Sequence, residues 1–298
     1  MQRSILLTLI VTVVLPLRML SAAEPTVAAL EKLGAQVRQS GGEIVDIKAD
    51  CDKLGDDGYR LIGQATSLKS LSLSGKAMSD DQLAMLSGLT NLESILLNGT
   101  ELSDDGYRHF AAFPQLKRLS LFHPSRNVEN FTGAGLAHLK ALPNLERLTF
   151  AGATAGDAAF KAVAEIQQLK EFSQWHNLET AAAIGHLTEL PNLRALKIGQ
   201  RLPSRGRPLT ASFDDATLAV IARMKTLEKL DLQEARLTLA GLKHLQSLPH
   251  LRELKLQWVD VPAADVEQLR KLLPNVKLNW EPMTDEERES LLTKKLKL

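Results

Sequence analysis

Aromatic and histidine side chains recur at one position of this sequence, directly after short leucine-rich stretches. They form the pairs Phe122-His123, Trp175-His176 and Gln257-Trp258. The chain contains only 8 Phe, 3 Trp and 2 Tyr among 298 residues, so this concentration is informative. Exposed aromatic side chains that lie at one edge are typical of the residues that dominate binding energies. We therefore expect these side chains to contact a partner.

Two basic segments follow the same position, and both contain the tripeptide Pro-Ser-Arg. Residues 123–127 read HPSRN, and residues 201–208 read RLPSRGRP. Arginine binds carboxylate, sulfate or phosphate groups through paired hydrogen bonds. We interpret the segments as loops that project on either side of Trp175-His176. The predicted binding site comprises Phe122, His123, Arg126, Trp175, His176, Arg201, Arg205, Arg207 and Trp258. The alternative is that the loops are tolerated surface insertions and the aromatics cover a poorly packed edge.

Motifs that usually carry catalysis or hold a cofactor are missing from the sequence. There is no glycine-rich phosphate loop, zinc signature or nucleophile elbow. Cys51 is the only cysteine and has no histidine at a fixed spacing. We predict no catalytic residue, no metal and no cofactor. A hydrolase would have to use His123 and His176 with an acid that the sequence does not identify, and these groups would have to meet in a pocket.

Other histidines and aspartates recur at equivalent positions of a repeating sequence pattern. Four histidines share one column of the sequence pattern, namely His109, His138, His186 and His244. A ladder of histidines can bind a metal, but we expect ordinary filling of an outer surface. The Asp pairs at 56–57, 80–81 and 104–105 each precede a predicted helix. We expect these acids to cap free N–H groups, with calcium binding as the alternative.

A 24-residue repeat organises most of the chain, and most of its 56 leucines fall in register with that repeat. Within each copy, leucines first alternate as in a strand and then recur every third residue as in a helix or a 3₁₀ turn. Such units bury their apolar faces only by stacking. The copy at 169–192 has Phe172 and Gln174 at leucine positions, which predicts an irregular strand. Nine copies begin at Ile44, Leu68, Leu92, Leu116, Leu145, Leu169, Leu193, Leu227 and Leu251.

Copies such as LEKLDLQEARLTLAGLKHLQSLPH (227–250) resemble the leucine-rich repeat family. The form is similar to that of exported bacterial members and of ribonuclease-inhibitor-like members, and it covers residues 44–275. The resemblance implies an α/β fold, a curved solenoid with a parallel sheet on the concave side and helices on the convex side. It also implies binding of proteins or other ligands rather than catalysis.

The two ends of the chain differ from the repeats. Residues 1–23 combine a basic start, an uncharged stretch and the small residues Ser21-Ala22-Ala23, which predicts a secretory signal peptide. Residues 24–43 predict an N-terminal capping helix that ends at Gly41-Gly42. Residues 276–298 predict a closing strand and a helix, because Thr284 and Glu287 match the capping-box pattern.

Charge and composition narrow the class of function. The 36 Lys+Arg nearly balance the 35 Asp+Glu, so no basic surface points to nucleic acid. We predict a monomeric, non-enzymatic recognition protein, secreted or periplasmic and without stable membrane insertion after signal cleavage. It would bind a protein or an anionic glycan through its concave face and rim. The alternatives are a hydrolase-like enzyme that uses rim histidines, an intracellular adaptor resembling ubiquitin-ligase substrate receptors, and a structural surface-layer protein.

Overall fold

A computed structural model describes residues 25–201 and 211–298. The predicted signal peptide at 1–23 lies outside the described residues. In the described part, each repeat contributes one strand and one helical segment, and the repeats stack in chain order. The chain is an α/β leucine-rich repeat solenoid, which confirms the expected fold class. Every helix in the described ranges is too short or too polar to cross a lipid bilayer.

The eleven described strands form one sheet in sequential order. The first two strands pair in antiparallel fashion, and all later neighbours pair in parallel. Parallel pairing requires a crossover after each strand, which the helical segments supply. The strands are β1 (Gln36–Ser40), β2 (Glu43–Asp50), β3 (Ser70–Ser74), β4 (Ser94–Asn98), β5 (Arg118–Phe122), β6 (Arg147–Ala151), β7 (Glu171–Trp175), β8 (Ala195–Ile198), β9 (Lys229–Arg236), β10 (Glu253–Asp260) and β11 (Lys277–Trp280).

The helical segments of the repeats lie on the other side of the solenoid, and they include both α and 3₁₀ geometry. The α-helices are α1 (Val27–Glu31), α2 (Cys51–Gly63), α3 (Asp80–Met85), α4 (Asp157–Ala164), α5 (Asp215–Ile221), α6 (Leu239–Leu242), α7 (Ala263–Leu272) and α8 (Asp285–Ser290). The 3₁₀ helices span Asp105–Ala112, Ala134–Ala141, Ala181–Glu189 and Lys243–Ser247, and a π-helical turn spans Leu291–Leu296. Short 3₁₀ segments fit a repeat in which apolar residues recur every third position.

The leucine periodicity produces one continuous core. In β3, Leu71 and Leu73 are buried, whereas Ser70 and Ser72 between them face outward from the sheet. The same alternation recurs in later strands, and the inward leucine, isoleucine and phenylalanine side chains belong to a single apolar cluster. Burying one leucine side chain contributes about 1.5–3 kcal/mol. Because each copy supplies several, the stacked copies stabilise one another.

Aspartates at the helix starts join each copy to the next one. Asp104 Oδ2 accepts hydrogen bonds from Thr132 N and Oγ1, at 2.9 and 2.7 Å, and its Oδ1 accepts one from Gly135 N at 3.0 Å. Asp80 binds Ser103 in the same way. The expectation that these acids cap their own helices was therefore wrong for Asp80 and Asp104. Their carboxylates instead accept hydrogen bonds from the start of the following helical segment, and Asp56 accepts one from the side chain of Gln82 in the next copy.

Two further expectations differ from the structure. The N-terminal helix ends at Glu31, and Gly41-Gly42 form the turn of the β1–β2 hairpin instead of ending the helix. Their φ values of 60° and 89° are the left-handed geometry that a two-residue hairpin turn requires. The strand at 171–175 is regular. Gln174 fits a leucine position because its amide donates to Gly199 O and accepts from Asn177.

Candidate functional site

The candidate site lies along the edge where the parallel strands end. We call this edge the rim. Two residues after the last core position of the strand, the backbone adopts positive φ in most copies, and we call this position the left-handed column. Glycine occupies this left-handed column in three copies, at Gly75, Gly99 and Gly152. In four other copies the column holds a large side chain, with φ between 48° and 57°, namely His123, His176, Glu234 and Trp258.

The left-handed column carries a backbone cost that glycine would avoid. A left-handed conformation costs a non-glycine residue roughly 1–2 kcal/mol. Residues held in such conformations cluster at binding and catalytic sites. Three of the four large residues, His123, His176 and Trp258, are members of the site predicted from sequence. Glu234 was missed, because a glutamate after a strand carries no distinctive signal unless the backbone conformation is known.

The rings of Phe122 and Trp175 meet although β6 lies between their strands. Their centroids are 6.0 Å apart, and the ring planes are tilted by 51°. Neighbouring strands lie about 4.8 Å apart, so an approach this close needs a small residue between the rings. Ala151 occupies that position in β6. On the other side of Trp175, a Cβ atom on Gly199 would lie only 2.8 Å from Trp175 Cβ.

A lysine completes the aromatic part of the rim. Lys197 Nζ lies 4.6 Å from the centroid of the Trp175 ring, in the geometry of a cation–π contact. Lys197 comes from the sheet face of β8, so it links the rim to the charged residues of that face. There, Lys197 and Lys255 lie 3.9 and 3.8 Å from Asp231 Oδ2. The sheet face is thus of mixed charge at this position.

The two rim histidines have different partners. His123 lies over Gly152, where an added Cβ would come within 2.5 Å of its ring, and its Nδ1 is 3.0 Å from Asn98 Oδ1. Burial, with the nearby charges of Arg126 and His176, lowers the pKa of His123. His176 Nε2 is 2.7 Å from Glu234 Oε2. The sequence-based enzyme hypothesis required a carboxylate within hydrogen-bond distance, and His176 has one.

The second carboxylate oxygen of Glu234 accepts a hydrogen bond from a residue near the C-terminus. Lys295 Nζ donates to Glu234 Oε1, and it also lies 5.5 Å from the centroid of the Trp258 ring. The Glu234 side chain is only 14% exposed, whereas Trp258 is 41% exposed. Although burial opposes it, hydrogen bonds from His176 and Lys295 lower the pKa of Glu234. The carboxylate is thus shared by two positively polarised groups.

The predicted arginines contribute less to the candidate site than expected. The segment after His123 is packed down instead of projecting: Ser125 is buried and bonded to Thr100 O and Leu102 O. Arg126 Nε donates to Gly152 O at 2.9 Å, which holds that side chain along the rim. Arg201 is half-buried, and its backbone N–H donates a hydrogen bond to Ser212 Oγ. Arg205 and Arg207 lie outside the described residues.

A buried polar cluster is formed by residues that precede and follow the second basic segment (201–208) in the chain, together with Glu179. Gln200 binds Ser212 N and Phe213 O, and Ser212 Oγ donates to Glu179 Oε1 at 3.1 Å. Glu179 is fully buried, and its Oε2 has no hydrogen-bond partner among the described residues. Burial raises the pKa of Glu179 to about 7. None of these residues carried a motif in the sequence.

Other residues that the sequence raised for chemistry are not placed for it. Cys51 is fully buried, and desolvation raises the pKa of its thiol to about 11, which disfavours the reactive thiolate. In the part of the chain that the structure describes, no three His, Cys, Asp or Glu side chains are grouped to hold a metal ion. Of the aspartates proposed as calcium ligands, Asp56, Asp80 and Asp104 accept hydrogen bonds from the next repeat.

No protein-family model matches the sequence, and no curated protein is significantly similar to it. Solved structures are similar at low identity. Internalin C2 from Listeria monocytogenes is 17% identical, with 86% of this chain and 91% of that chain covered and a TM-score of 0.49. TLR13, solved as a complex with ssRNA13, is 18% identical, with 83% of this chain covered and a TM-score of 0.47; this chain spans 33% of it. The repeats, strand register and leucine core of this chain themselves define a leucine-rich repeat solenoid.

Proposed function

We propose that this chain is an exported recognition protein that binds a partner protein through its rim and catalyses no reaction. The observation that carries the proposal is the left-handed column. His123, His176, Glu234 and Trp258 stand where Gly75, Gly99 and Gly152 show that glycine serves the fold. Glycine would avoid the energetic cost of this backbone conformation. A large side chain at such a position is therefore consistent with a role in binding.

The chemistry of the rim suits a protein surface. Phe122, Trp175 and Trp258 supply aromatic area, and Lys197, His176 and Glu234 supply charged or polar groups beside it. Interfaces commonly combine a few aromatic anchors with polar groups of both signs. A sulfated or phosphorylated glycan would favour a surface of positive sign alone. The partly buried carboxylate of Glu234 therefore supports a protein partner over an anionic glycan.

Export is proposed from the amino-terminal sequence. Residues 1–23 have the composition of a secretory signal, and the chain contains only one cysteine, which is buried. A fold that needs no disulfide is compatible with export, since its core is supplied by leucine. Detection of the mature chain in the medium or periplasm of the host, with its N-terminus determined by mass spectrometry, tests this part of the proposal.

The binding proposal is tested with a rim variant and a matched variant on the helix side. Phe122→Ala/Trp175→Ala removes the aromatic pair, whereas His138→Ala/His244→Ala removes two exposed helix-side rings. Proteins captured from the host's cell envelope or medium are identified, purified and titrated by calorimetry. The rim variant should bind at least about thirtyfold more weakly, as expected for a hot spot of 2 kcal/mol or more. The helix-side variant should bind like the wild type.

Circular dichroism of both variants shows whether the fold is retained. Equal affinity of the rim variant, at retained fold, would refute rim recognition. If no protein is captured and the wild type binds a heparin oligosaccharide, the partner is a glycan.

A hydrolase is the second candidate, because His176 and Glu234 form a His–carboxylate pair at 2.7 Å. A carboxylate that orients a histidine is half of a common catalytic arrangement. Here the same carboxylate also binds Lys295, so it is shared with a structural contact. Hydrolysis of ester, peptide and glycoside substrate panels by the wild type, lost in His176→Ala, would support this candidate. Activity that is absent, or unchanged in the variant, would exclude it.

A further inference from the structure

The C-terminal segment folds back onto the rim instead of extending the solenoid beyond β11. We call residues 284–298 the tail. α8 packs against β10, and the π-helical turn packs against β9. Leu291 is fully buried and Leu296 is 4% exposed, so two leucines anchor the tail. A closing strand and a helix were predicted from sequence for 276–298, and β11 and α8 lie in this range. The tail also covers part of the surface that we propose for binding.

The tail delivers one ammonium group to a site built from two neighbouring strands. Lys295 Nζ donates to Glu234 Oε1 and lies over the face of Trp258, 5.5 Å from its centroid. A carboxylate beside an aromatic face is a favourable environment for an ammonium group, and more so when partly desolvated. The Glu234 side chain is 14% exposed, and Lys295 remains 38% exposed.

The two walls of this site are fixed by the backbone of the repeats. Glu234 and Trp258 have φ values of 57° and 55°, and the flanking pairs Gln233–Gln257 and Ala235–Val259 keep the strands in register. His176 holds the second carboxylate oxygen from two strands away. The acceptor and the ring are therefore oriented by β7, β9 and β10, and not by the tail.

The ligand that occupies the site is a short basic and apolar sequence. Residues 291–298 read LLTKKLKL, with three lysines and no acid. Only Lys295 of these reaches Glu234, and Lys294 beside it is exposed. A segment of another protein with lysine among leucines would present the same groups to the same walls.

We propose that Glu234 and Trp258 form a lysine-binding site, and that Lys295 occupies it until a lysine-rich segment of the partner protein takes its place. This inference rests on the proposed function and specifies its partner: a protein with an exposed basic segment. The tail then acts as an internal competitor. The apparent affinity for the partner equals the intrinsic affinity multiplied by the fraction of molecules in which the site is empty.

The test uses the full chain and the labelled pentapeptide Thr-Lys-Lys-Leu-Lys, which reproduces residues 293–297 and lacks the leucine at 291. Lys295→Ala empties the site but keeps the anchors Leu291 and Leu296. Lys294→Ala removes an equal charge that does not enter the site. Fluorescence anisotropy should show that Lys295→Ala binds the pentapeptide at least about tenfold more tightly than the wild type. Lys294→Ala should bind it like the wild type.

Two further measurements test whether the ion pair with Glu234 causes the tighter binding. Glu234→Gln introduced into Lys295→Ala should remove the gain, and a pentapeptide with acetylated lysines should bind neither protein, because both changes eliminate the ion pair. Equal affinity of wild type and Lys295→Ala, or a gain that survives Glu234→Gln, would overturn the lysine site. Tighter binding of a heparin oligosaccharide to Glu234→Gln, without pentapeptide binding, would overturn it in favour of an anion site.

Failure of this inference is separable from failure of the proposed function. If the pentapeptide result is negative while capture still depends on Phe122 and Trp175, the rim binds a partner without a lysine site. If the pentapeptide binds as expected while capture does not depend on that aromatic pair, rim recognition through the pair is wrong.

Discussion

His176 Nε2 lies 2.7 Å from Glu234 Oε2, although 58 positions and one intervening strand separate the two residues. The contact forms because the two residues that follow β8 contribute no outward side chain at this level. Gly199 has none, and the Gln200 amide turns inward to Phe213 O. Between β5 and β9, large outward side chains thus come from alternate strands and meet above the strand between them. A change in a small residue should therefore disturb a distant pair of large ones.

Gly199→Ala should displace Trp175. The added Cβ would lie 2.8 Å from Trp175 Cβ, and both atoms are close to the backbone and cannot swing away. We expect a loss of about 1–3 kcal/mol in the free energy of unfolding, as for other overpacked sites. The ring should also separate from Phe122, with a change in tryptophan emission. Identical emission and an identical unfolding midpoint would contradict this account of the rim.

Asp104→Ala should weaken the junction between adjacent copies. Asp104 accepts three hydrogen bonds from the next copy, so its loss leaves the N–H groups of Thr132 and Gly135 without their acceptor. The expected destabilisation in urea unfolding is about 1–3 kcal/mol. Asp105→Ala is the matched control, because Asp105 forms only a surface ion pair with Arg108. We expect it to change stability by less than about 1 kcal/mol. Equal effects of the two variants would disprove the junction.

Gly135→Ala should also be strongly destabilising, for a different reason. Its φ is not positive, but an added Cβ would lie 1.9 Å from the backbone oxygen of Asp104 in the preceding copy. Backbone would have to move, and we expect a loss above about 2 kcal/mol. Gly185→Ala has nothing within 4 Å of the added atom. Thermal unfolding should place that control within about 0.5 kcal/mol of the wild type, and a tolerated Gly135→Ala would refute the steric explanation.

Stability should fall as the pH rises through the range in which Glu179 titrates. Burial raises the pKa of Glu179 from 4.5 to about 7 in the folded chain, so the folded state binds a proton more tightly than the unfolded state. The stabilisation is fully present below pH 4.5 and is lost by pH 7. Its magnitude is at most about 3 kcal/mol.

Glu179→Gln provides the control for this pH dependence, since glutamine cannot ionise and still accepts from Ser212. The difference in unfolding free energy between wild type and variant, measured from pH 4 to pH 8, isolates the contribution of Glu179. A difference that stays constant over that range would show that Glu179 does not titrate as described.

Several features of the fold were predictable from sequence because they repeat. The leucines alternate in each strand and recur every third residue in each helical segment, and a periodic pattern specifies which faces must be buried. The same repetition places Phe122 and Trp175 on one edge, since equivalent positions of parallel strands align. Their roles as binding residues stay predictions until a partner is tested.

Features that depend on contacts between copies could not be read from one copy at a time. Asp104 has the sequence signature of a cap for its own helix, and only the offset between stacked copies directs it to Thr132. Gln174 departs from the leucine pattern, yet it is accommodated by amide partners that the stacking brings close.

The sequence by itself determined the leucine-rich repeat architecture, because local periodicity dictates the buried faces and stacking is their simplest burial. The tertiary structure decided the composition of the rim. Glu234 joins His176 only through its own left-handed backbone and because Gly199 and Gln200, after β8, place no side chain between them. Lys295 reaches Glu234 only because the tail folds back. These contacts link residues 58 and 61 positions apart, so no local pattern encodes them.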